Sequence, residues 1–190
     1  MAVDSERIEA AVAELLQAIG EDATRPGLEQ TPRRVAEAYA EFFSGVGVDA
    51  AALLASDMDL AADERGELVL LRDVAFRSVC EHHLLPFVGV AHVAYVPADR
   101  VVGLGSIARV VETVASRPQV QERVGEQIAD ALADGLGAEG VLVVLDATHA
   151  CVTTRGPRQS GSSTVTVASR GVLADPARRA EVMTLLGGGA

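Results

Sequence analysis

The N-terminal quarter of the chain carries apolar side chains with the period of an α-helix. In residues 5–19, SERIEAAVAELLQAI, they recur every three or four positions, which predicts a first helix. A second helix is predicted to start with Thr31 as the N-cap and Pro32 in the first helical position, and to end near Gly45. Residues 46–66 are acidic and have no clear period, so they are predicted to form a loop.

From Leu68 onward the pattern becomes typical of β-strands. Two strands are predicted in LVLLRDVAFRSVC and FVGVAHVAYVP, joined by the corner EHHLLP. Two helices follow, in GLGSIARVVETVA and PQVQERVGEQIADALADGL, and Arg117-Pro118 separates them. Two further strands, VLVVLDATHACVTT and TVTVAS, and a C-terminal helix that opens at Asp175-Pro176 complete the predicted elements.

The predicted order is two helices, then β-β-α-α-β-β, then a helix. Two strand pairs that flank two helices predict an α+β fold, in which an antiparallel four-stranded sheet has two helices packed on it. We expect residues 1–60 to form an N-terminal helical extension and residues 61–190 to form the main domain. Such a sheet would leave one face and its edge strands uncovered, and self-association is one way to cover them.

Composition and charge narrow the possible functions. The chain has 190 residues and a net charge of −11, which disfavours nucleic-acid binding, because a protein that coats phosphates is basic. An anion site is still possible if it is locally basic. No apolar run approaches the ~18–20 residues that span a membrane, and the N-terminus does not resemble a signal peptide. We therefore expect a soluble, cytoplasmic protein in which the two cysteines bind a metal or react as thiols, and do not form a disulfide.

Half of the cysteines and half of the histidines lie within four positions of each other. Cys80 and His83 have the C-x-x-H spacing of metal ligands, and His82 lies between them. His149 and Cys151 flank one residue near the end of a predicted strand, where residues i and i+2 point to the same face. Thiolates together with imidazole suit Zn²⁺, and these five residues exceed what one tetrahedral zinc can take.

The spacing leaves the type of metal site open. If Cys80, His83 and Cys151 bind zinc, three protein ligands leave a position for water, which is the catalytic pattern. His82 and His149 would then be able to move protons. A structural four-ligand site that uses one more histidine fits the spacing equally well. Buried cysteines and lone histidines are also common where no metal binds.

Four motifs in this order resemble the GTP cyclohydrolase I family: CEHH, GLGSIARVVE, RPQVQER and DATHACVTTRG. The resemblance implies the tunnelling fold, in which antiparallel sheets of several subunits close into a barrel. It also implies a homodecamer with active sites between subunits. The implied reaction is the zinc-dependent hydrolytic opening of the imidazole ring of GTP at C8, with release of formate and rearrangement to 7,8-dihydroneopterin triphosphate.

The resemblance assigns roles to individual residues by their positions in these motifs. They are the zinc ligands Cys80, His83 and Cys151, the proton-transfer residues His82 and His149, the guanine-binding Glu122 with Gln121 beside it as a second substrate-binding residue, and the triphosphate-binding Arg109 and Arg155. A carboxylate can accept two parallel hydrogen bonds from guanine N1–H and the 2-amino group. A guanidinium group suits phosphate in the same bidentate way.

The chain departs from the family pattern on the phosphate side. Gly105-Ser106 stands where the family has Ser-Lys, and that lysine contacts phosphate. Its loss would cost on the order of 2–5 kcal/mol of binding energy. Ser106 is still expected to contact the substrate at the helix start, and Arg158 is a partial substitute for the lysine. Pro157 stiffens the following turn.

These departures leave two alternatives to GTP hydrolysis. One is a paralogue that acts on a different guanine nucleotide or nucleoside in specialised metabolism. The other is a non-catalytic, zinc-stapled oligomer that binds purines.

Overall fold

The structure is a computed structural model that describes residues 3–54, 57–59 and 67–187. The chain forms two compact units, Met1–Val48 and Asp49–Ala190. The predicted domain boundary between residues 60 and 61 lies outside the described residues. Among the residues that are described, no helix has both the length and the apolar character needed to cross a membrane.

The N-terminal unit consists of helix α1, Ser5–Ala18, packed against helix α2, Thr31–Phe42. Both helices were predicted, but the assignment of Thr31 as the N-cap is wrong by one residue. Gln30 is the N-cap, and the Thr31 hydroxyl donates a hydrogen bond to the Gly27 carbonyl at 3.3 Å. The Thr31 side chain is bound to the turn before α2, so Thr31 is the first residue of the helix and not its cap.

The second unit contains the remaining elements of the described chain. In chain order they are the strand β1 Asp57–Asp59, β2 Val69–Cys80, β3 Pro86–Val96, β4 Arg100–Val102, the helix α3 Leu104–Ala115, β5 Pro118–Gln119, α4 Gln121–Leu136, β6 Gly140–His149, α5 Ala150–Thr153, β7 Thr164–Gly171 and α6 Pro176–Gly187. Short 3-10 helices lie at Ala51–Leu54 and Val172–Ala174. The loop predicted for residues 46–66 therefore contains a helical turn and β1, and residues 55–56 and 60–66 lie outside the described residues.

The main sheet has the strand order β5-β2-β3-β6-β7. Its four long strands are antiparallel, whereas β5 pairs in parallel with the last two residues of β2. The structure is thus of mixed α+β class, and the sheet has one strand more than predicted. The helix predicted to begin at Pro118 begins at Gln121 instead, because Pro118 and Gln119 extend along β2.

Helices α3 and α4 cover one face of this sheet. Their apolar side chains at helical spacing are fully buried, among them Val110, Val114, Val124, Ile128 and Leu132. Each large buried aliphatic side chain contributes roughly 1.5–3 kcal/mol to folding relative to an exposed one. This packing fixes α4 against the sheet at the end where β2 and β6 terminate.

The opposite face is only partly covered. A smaller cluster packs Val182 of α6 against Ala94, Leu142 and Leu173. Beyond it, large apolar side chains are exposed on the sheet, namely Val88, Val165 and Val167. An exposed row of valines on a sheet is the surface that sequence reasoning expected self-association to cover.

Strand β2 is interrupted by a bulge. Its pairing with β3 shifts between Leu71 and Val74, and Asp73 has a φ of 58°. The Asp73 backbone N–H donates to Nδ1 of His92 on β3 at 3.1 Å, so the side chain of the neighbouring strand supports the irregular residue. Bulges of this kind bend a strand and increase its twist.

Candidate functional site

A tight turn after β2 brings two of the predicted metal ligands together. Cys80 is the last residue of β2, and its carbonyl accepts a hydrogen bond from Leu84 N–H at 2.8 Å. Leu84 has a φ of 52°. This left-handed conformation lets the chain reverse within a few residues, and His83 lies inside the reversal. Across the sheet end, Cys151 supplies the third group, and the ligand atoms of Cys80, His83 and Cys151 all lie within 4.8 Å of one another.

Cys151 reaches this position from a helical turn. The prediction that His149 and Cys151 share a strand face is wrong, because β6 ends at His149 and Cys151 belongs to α5. Hydroxyl groups stabilise the turn: Thr153 donates to the His149 carbonyl at 3.2 Å and Thr154 to the Ala150 carbonyl at 2.6 Å. The turn brings Cys151 into the group that could hold a metal and leaves His149 outside it.

Two thiols and one imidazole form a donor set that fits zinc. Burial raises the pKa of the Cys151 thiol, and the neighbouring Cys80 raises it further. A cation placed between the two sulfur atoms would favour the thiolate form that binds a metal. Within the described part of the chain the group has three members, which matches the pattern that leaves a coordination position open.

His149 is held rigidly beside this group. It pairs with Phe87 in the β3–β6 ladder, and the two rings stack with centroids 4.6 Å apart and planes 9° apart. Its Nε2 lies 2.7 Å from Oε1 of Gln121. Burial lowers the pKa of His149, although the Glu122 carboxylate opposes this shift. The ring is therefore neutral over a wider pH range than an exposed histidine.

His82 is exposed, as His83 is. Its side chain is 65% exposed, and its Nε2 lies 4.0 Å from the Glu81 carboxylate. Glu81 also forms a bidentate ion pair with Arg123 of α4, with oxygen–nitrogen distances of 2.5 and 3.3 Å. The Arg123 guanidinium lowers the pKa of Glu81. Sequence reasoning missed this pair, although Glu81 lies in CEHH and Arg123 in QVQER, two motifs already singled out.

Glu122 lies next to the same cluster, at the β7 edge of the sheet. It is in the first turn of α4 and lines a cleft of about 240 Å³ together with Thr166 and Val167. Its charge acts on His149, and the charge of Arg155 acts on the Cys151 thiol. The structure therefore gathers most of the predicted site residues around one end of the sheet.

Arg109 and Ser106 lie elsewhere. Arg109 lines a second cleft, of about 300 Å³, with Phe76 and Arg77 of β2, and Ser106 precedes it by one turn of α3. Strands β3 and β6 separate β2 from β7, so the two edges are three strand spacings, about 14 Å, apart. A single chain thus carries the predicted site residues in two places.

Comparison with known proteins gives a consistent result over nearly the whole chain. The profile of the GTP cyclohydrolase I family matches residues 8–187. The GTP cyclohydrolase 1 of Leifsonia xyli subsp. xyli is 62% identical over 187 residues, which cover 98% of this chain and 97% of the relative. The GTP cyclohydrolase 1 of Rhodopirellula baltica is 52% identical, over 97% of this chain and 80% of the relative. That of Streptococcus sanguinis is 47% identical, over 97% of this chain and 100% of the relative.

Proposed function

The chain belongs to the GTP cyclohydrolase I family, and from this premise we propose that it hydrolyses GTP. The proposed reaction opens the imidazole ring at C8, releases formate and yields 7,8-dihydroneopterin triphosphate. The membership of the family and the hydrolase class that the motifs predicted are confirmed by the comparisons. The relatives' names favour GTP over another guanine nucleotide.

One observation carries the proposal. The Cys80–His83–Cys151 group, its ligand atoms within 4.8 Å of one another, lies in the same cluster as the imidazole of His149 and the carboxylate of Glu122. Metal ligands, a proton-transfer group and an acceptor for guanine N–H groups are the parts that ring opening requires. We propose that the three ligands hold zinc, which when bound supplies Lewis-acid activation of the water used in hydrolysis.

The remaining residues bind the substrate and move protons. Glu122 accepts hydrogen bonds from guanine N1–H and the 2-amino group, which fixes the purine with its five-membered ring toward the cysteines. His149, neutral and fixed by Phe87, accepts or returns a proton at the reacting ring. The exposed His82 exchanges protons with solvent. Arg155 neutralises part of the triphosphate charge.

We further propose that the site is completed by a second copy of the chain. Glu122 borders the cleft at the β7 edge and Arg109 borders the cleft at the β2 edge. If β2 of one copy pairs with β7 of the next, the two clefts meet and Arg109 and Ser106 approach the nucleotide held by Glu122. Repetition of this pairing closes the sheets into a barrel, as in the homodecamer that the resemblance implies. It also covers the two exposed edges.

The test is a substrate panel on zinc-loaded protein. Formate release and pterin fluorescence are measured with GTP, GMP and guanosine, and we expect both signals with GTP. Turnover of GMP or guanosine without turnover of GTP would support the paralogue. Purine binding without formate would support the non-catalytic oligomer. His149→Ala separates a catalytic from a structural role, since the variant should lose turnover and keep its metal.

A further inference from the structure

Gln121 has an unusual environment for a polar residue in the first turn of a helix. Its side chain is 1% exposed. Its Nε2 donates to the carbonyls of Leu145 and Thr164 at 3.1 and 2.8 Å and lies 3.1 Å from the Thr166 hydroxyl oxygen. Its Oε1 lies 2.7 Å from Nε2 of His149. The protein itself therefore uses both ends of the amide, so little hydrogen-bonding capacity is left for a substrate.

The chemistry of these partners fixes which way the amide points. Carbonyl oxygens only accept hydrogen bonds, so the end that faces Leu145 and Thr164 must be the NH₂ group. The opposite choice would place the amide oxygen against two carbonyl oxygens inside the protein. Oε1 therefore faces His149, and it can only accept.

The same reasoning reaches the imidazole. An acceptor 2.7 Å from Nε2 requires that nitrogen to carry a hydrogen, and in a neutral ring Nδ1 then carries none. The stack on Phe87 opposes rotation of the ring away from this arrangement. We propose that Gln121 is a positioning residue that holds the His149 ring in one orientation, with the hydrogen on Nε2 bound by the amide oxygen and Nδ1 as the nitrogen that faces the substrate. This inference rests on the proposed function of His149.

The chain offers a matched control for testing it. Gln119 is also 1% exposed and lies two residues earlier. Its Nε2 donates to the Val114 carbonyl at 3.0 Å and to Oε1 of Gln127 at 2.9 Å. Gln119→Met and Gln121→Met each remove a buried amide of the same size, and only the second removes the partner of His149.

The first measurement is spectroscopic and does not depend on turnover. Full-length, zinc-loaded protein with ¹⁵N-labelled histidine is sedimented and examined by magic-angle-spinning NMR, and the His149 signals are assigned by their loss in His149→Ala. We expect a proton bonded to Nε2 and protected from exchange in the wild type and in Gln119→Met, and its loss in Gln121→Met. A wild-type His149 with its proton on Nδ1 would overturn the proposal even if the protein hydrolyses GTP.

The second measurement is kinetic. Gln121→Met should lower kcat about 10- to 100-fold, the usual range for a residue that orients a functional group, and leave KM for GTP nearly unchanged. In the His149→Ala background the same change should have no further effect on the small residual kcat, because a residue that acts only through His149 has nothing left to act on. An increase in KM with unchanged kcat, or an equal loss in both backgrounds, would instead make Gln121 a substrate contact. Absence of turnover in all variants would contradict the proposed function and leave the spectroscopic result to decide this inference.

Discussion

The two edges of the main sheet differ in how firmly hydrogen bonds and packing hold the candidate site residues. At the β7 edge, Gln121 is buried, His149 is hydrogen-bonded and stacked, and Glu122 lies at the mouth of a cleft beside them. At the β2 edge, Arg109 is exposed and Ser106 is half-buried, on a helix whose N-cap, Gly103, has no side chain to offer. The groups for ring chemistry are thus fixed within one chain. Arg109 and Ser106, two of the groups proposed for phosphate, have no comparable side-chain contacts among the described residues.

The largest expected effect comes from removal of a predicted metal ligand from the cluster at the β7 edge. His83→Ala should reduce bound zinc from about one ion per chain to near zero and lower kcat by more than about a thousandfold, because a catalytic metal supplies several kcal/mol of transition-state stabilisation. Elemental analysis and formate release provide the measurement. His92→Ala is the control, since His92 lies at the β2 bulge and should keep its zinc. Full metal content in His83→Ala would remove His83 from the ligand set.

The next largest effect tests the division of the site between chains. Glu122→Ala and Arg109→Ala should each lower kcat/KM by about 10- to 150-fold, from the loss of hydrogen bonds to a charged group worth about 1.5–3 kcal/mol. Unfolding and refolding the two variants together should restore about a quarter of wild-type activity, because one in four random head-to-tail neighbours pairs the two intact edges.

The control for this experiment is each variant refolded alone. If mixing restores nothing although mass measurement shows mixed oligomers, both residues serve one site within a single chain. The comparison between the two edges would then lose its functional meaning.

A smaller effect is expected when a positive charge is added at the β2 edge. Ser106→Lys introduces an ammonium one turn before Arg109 and should lower KM for GTP by about tenfold or more, at the lower end of what a charge-assisted hydrogen bond contributes. The dissociation constant of guanosine, measured by competition with GTP, should not change, because guanosine has no phosphate. Equal shifts for both ligands would show that residue 106 does not act through phosphate.

The smallest effect is on stability and compares two glycines. A Cβ at Gly105 meets no atom within 4 Å, so Gly105→Ala in the first turn of α3 should raise the free energy of unfolding by up to about 1 kcal/mol. A Cβ at Gly89 on β3 would clash with the Asp146 carbonyl oxygen. Gly89→Ala should therefore lower the free energy of unfolding by about 1–3 kcal/mol. Urea unfolding measures both. A stable Gly89→Ala variant would show that the β3–β6 contact can relax.

Much of the fold could be predicted because its signals are local. The runs of β-branched and other apolar residues in β2 and β3 and the helical period in α3 and α4 each arise within one element. The strand β5 could not be predicted in this way, since Pro118 and Gln119 are too short a segment for any period. Their conformation depends on a tertiary pairing with β2.

The candidate site was predictable in composition and less so in arrangement. The spacing of cysteines and histidines identified five candidate ligands, and the family resemblance selected Cys80, His83 and Cys151 among them. The helical conformation at Cys151 could not be predicted, since ATHACVTT is compatible with a continued strand. The helical turn is evident only from the structure, where the Thr153 and Thr154 hydroxyl groups donate to backbone carbonyls. The burial of Gln121 left no sequence signal either, because a glutamine in the first turn of a helix is usually exposed.

The bulge at Asp73 would limit how a second copy of the chain could pair with β2 in the proposed assembly. A strand that joins the β2 edge meets a regular backbone only from Val74 onward, and beyond Ser78 that side of β2 is occupied by β5. The open ladder is therefore about five residues, or roughly 17 Å, long. The bulge limits this ladder at one end and β5 limits it at the other. An incoming strand therefore cannot shift its register by two residues without losing hydrogen bonds. In the proposed assembly, the structure of β2 therefore sets the register in which each copy pairs with its neighbour.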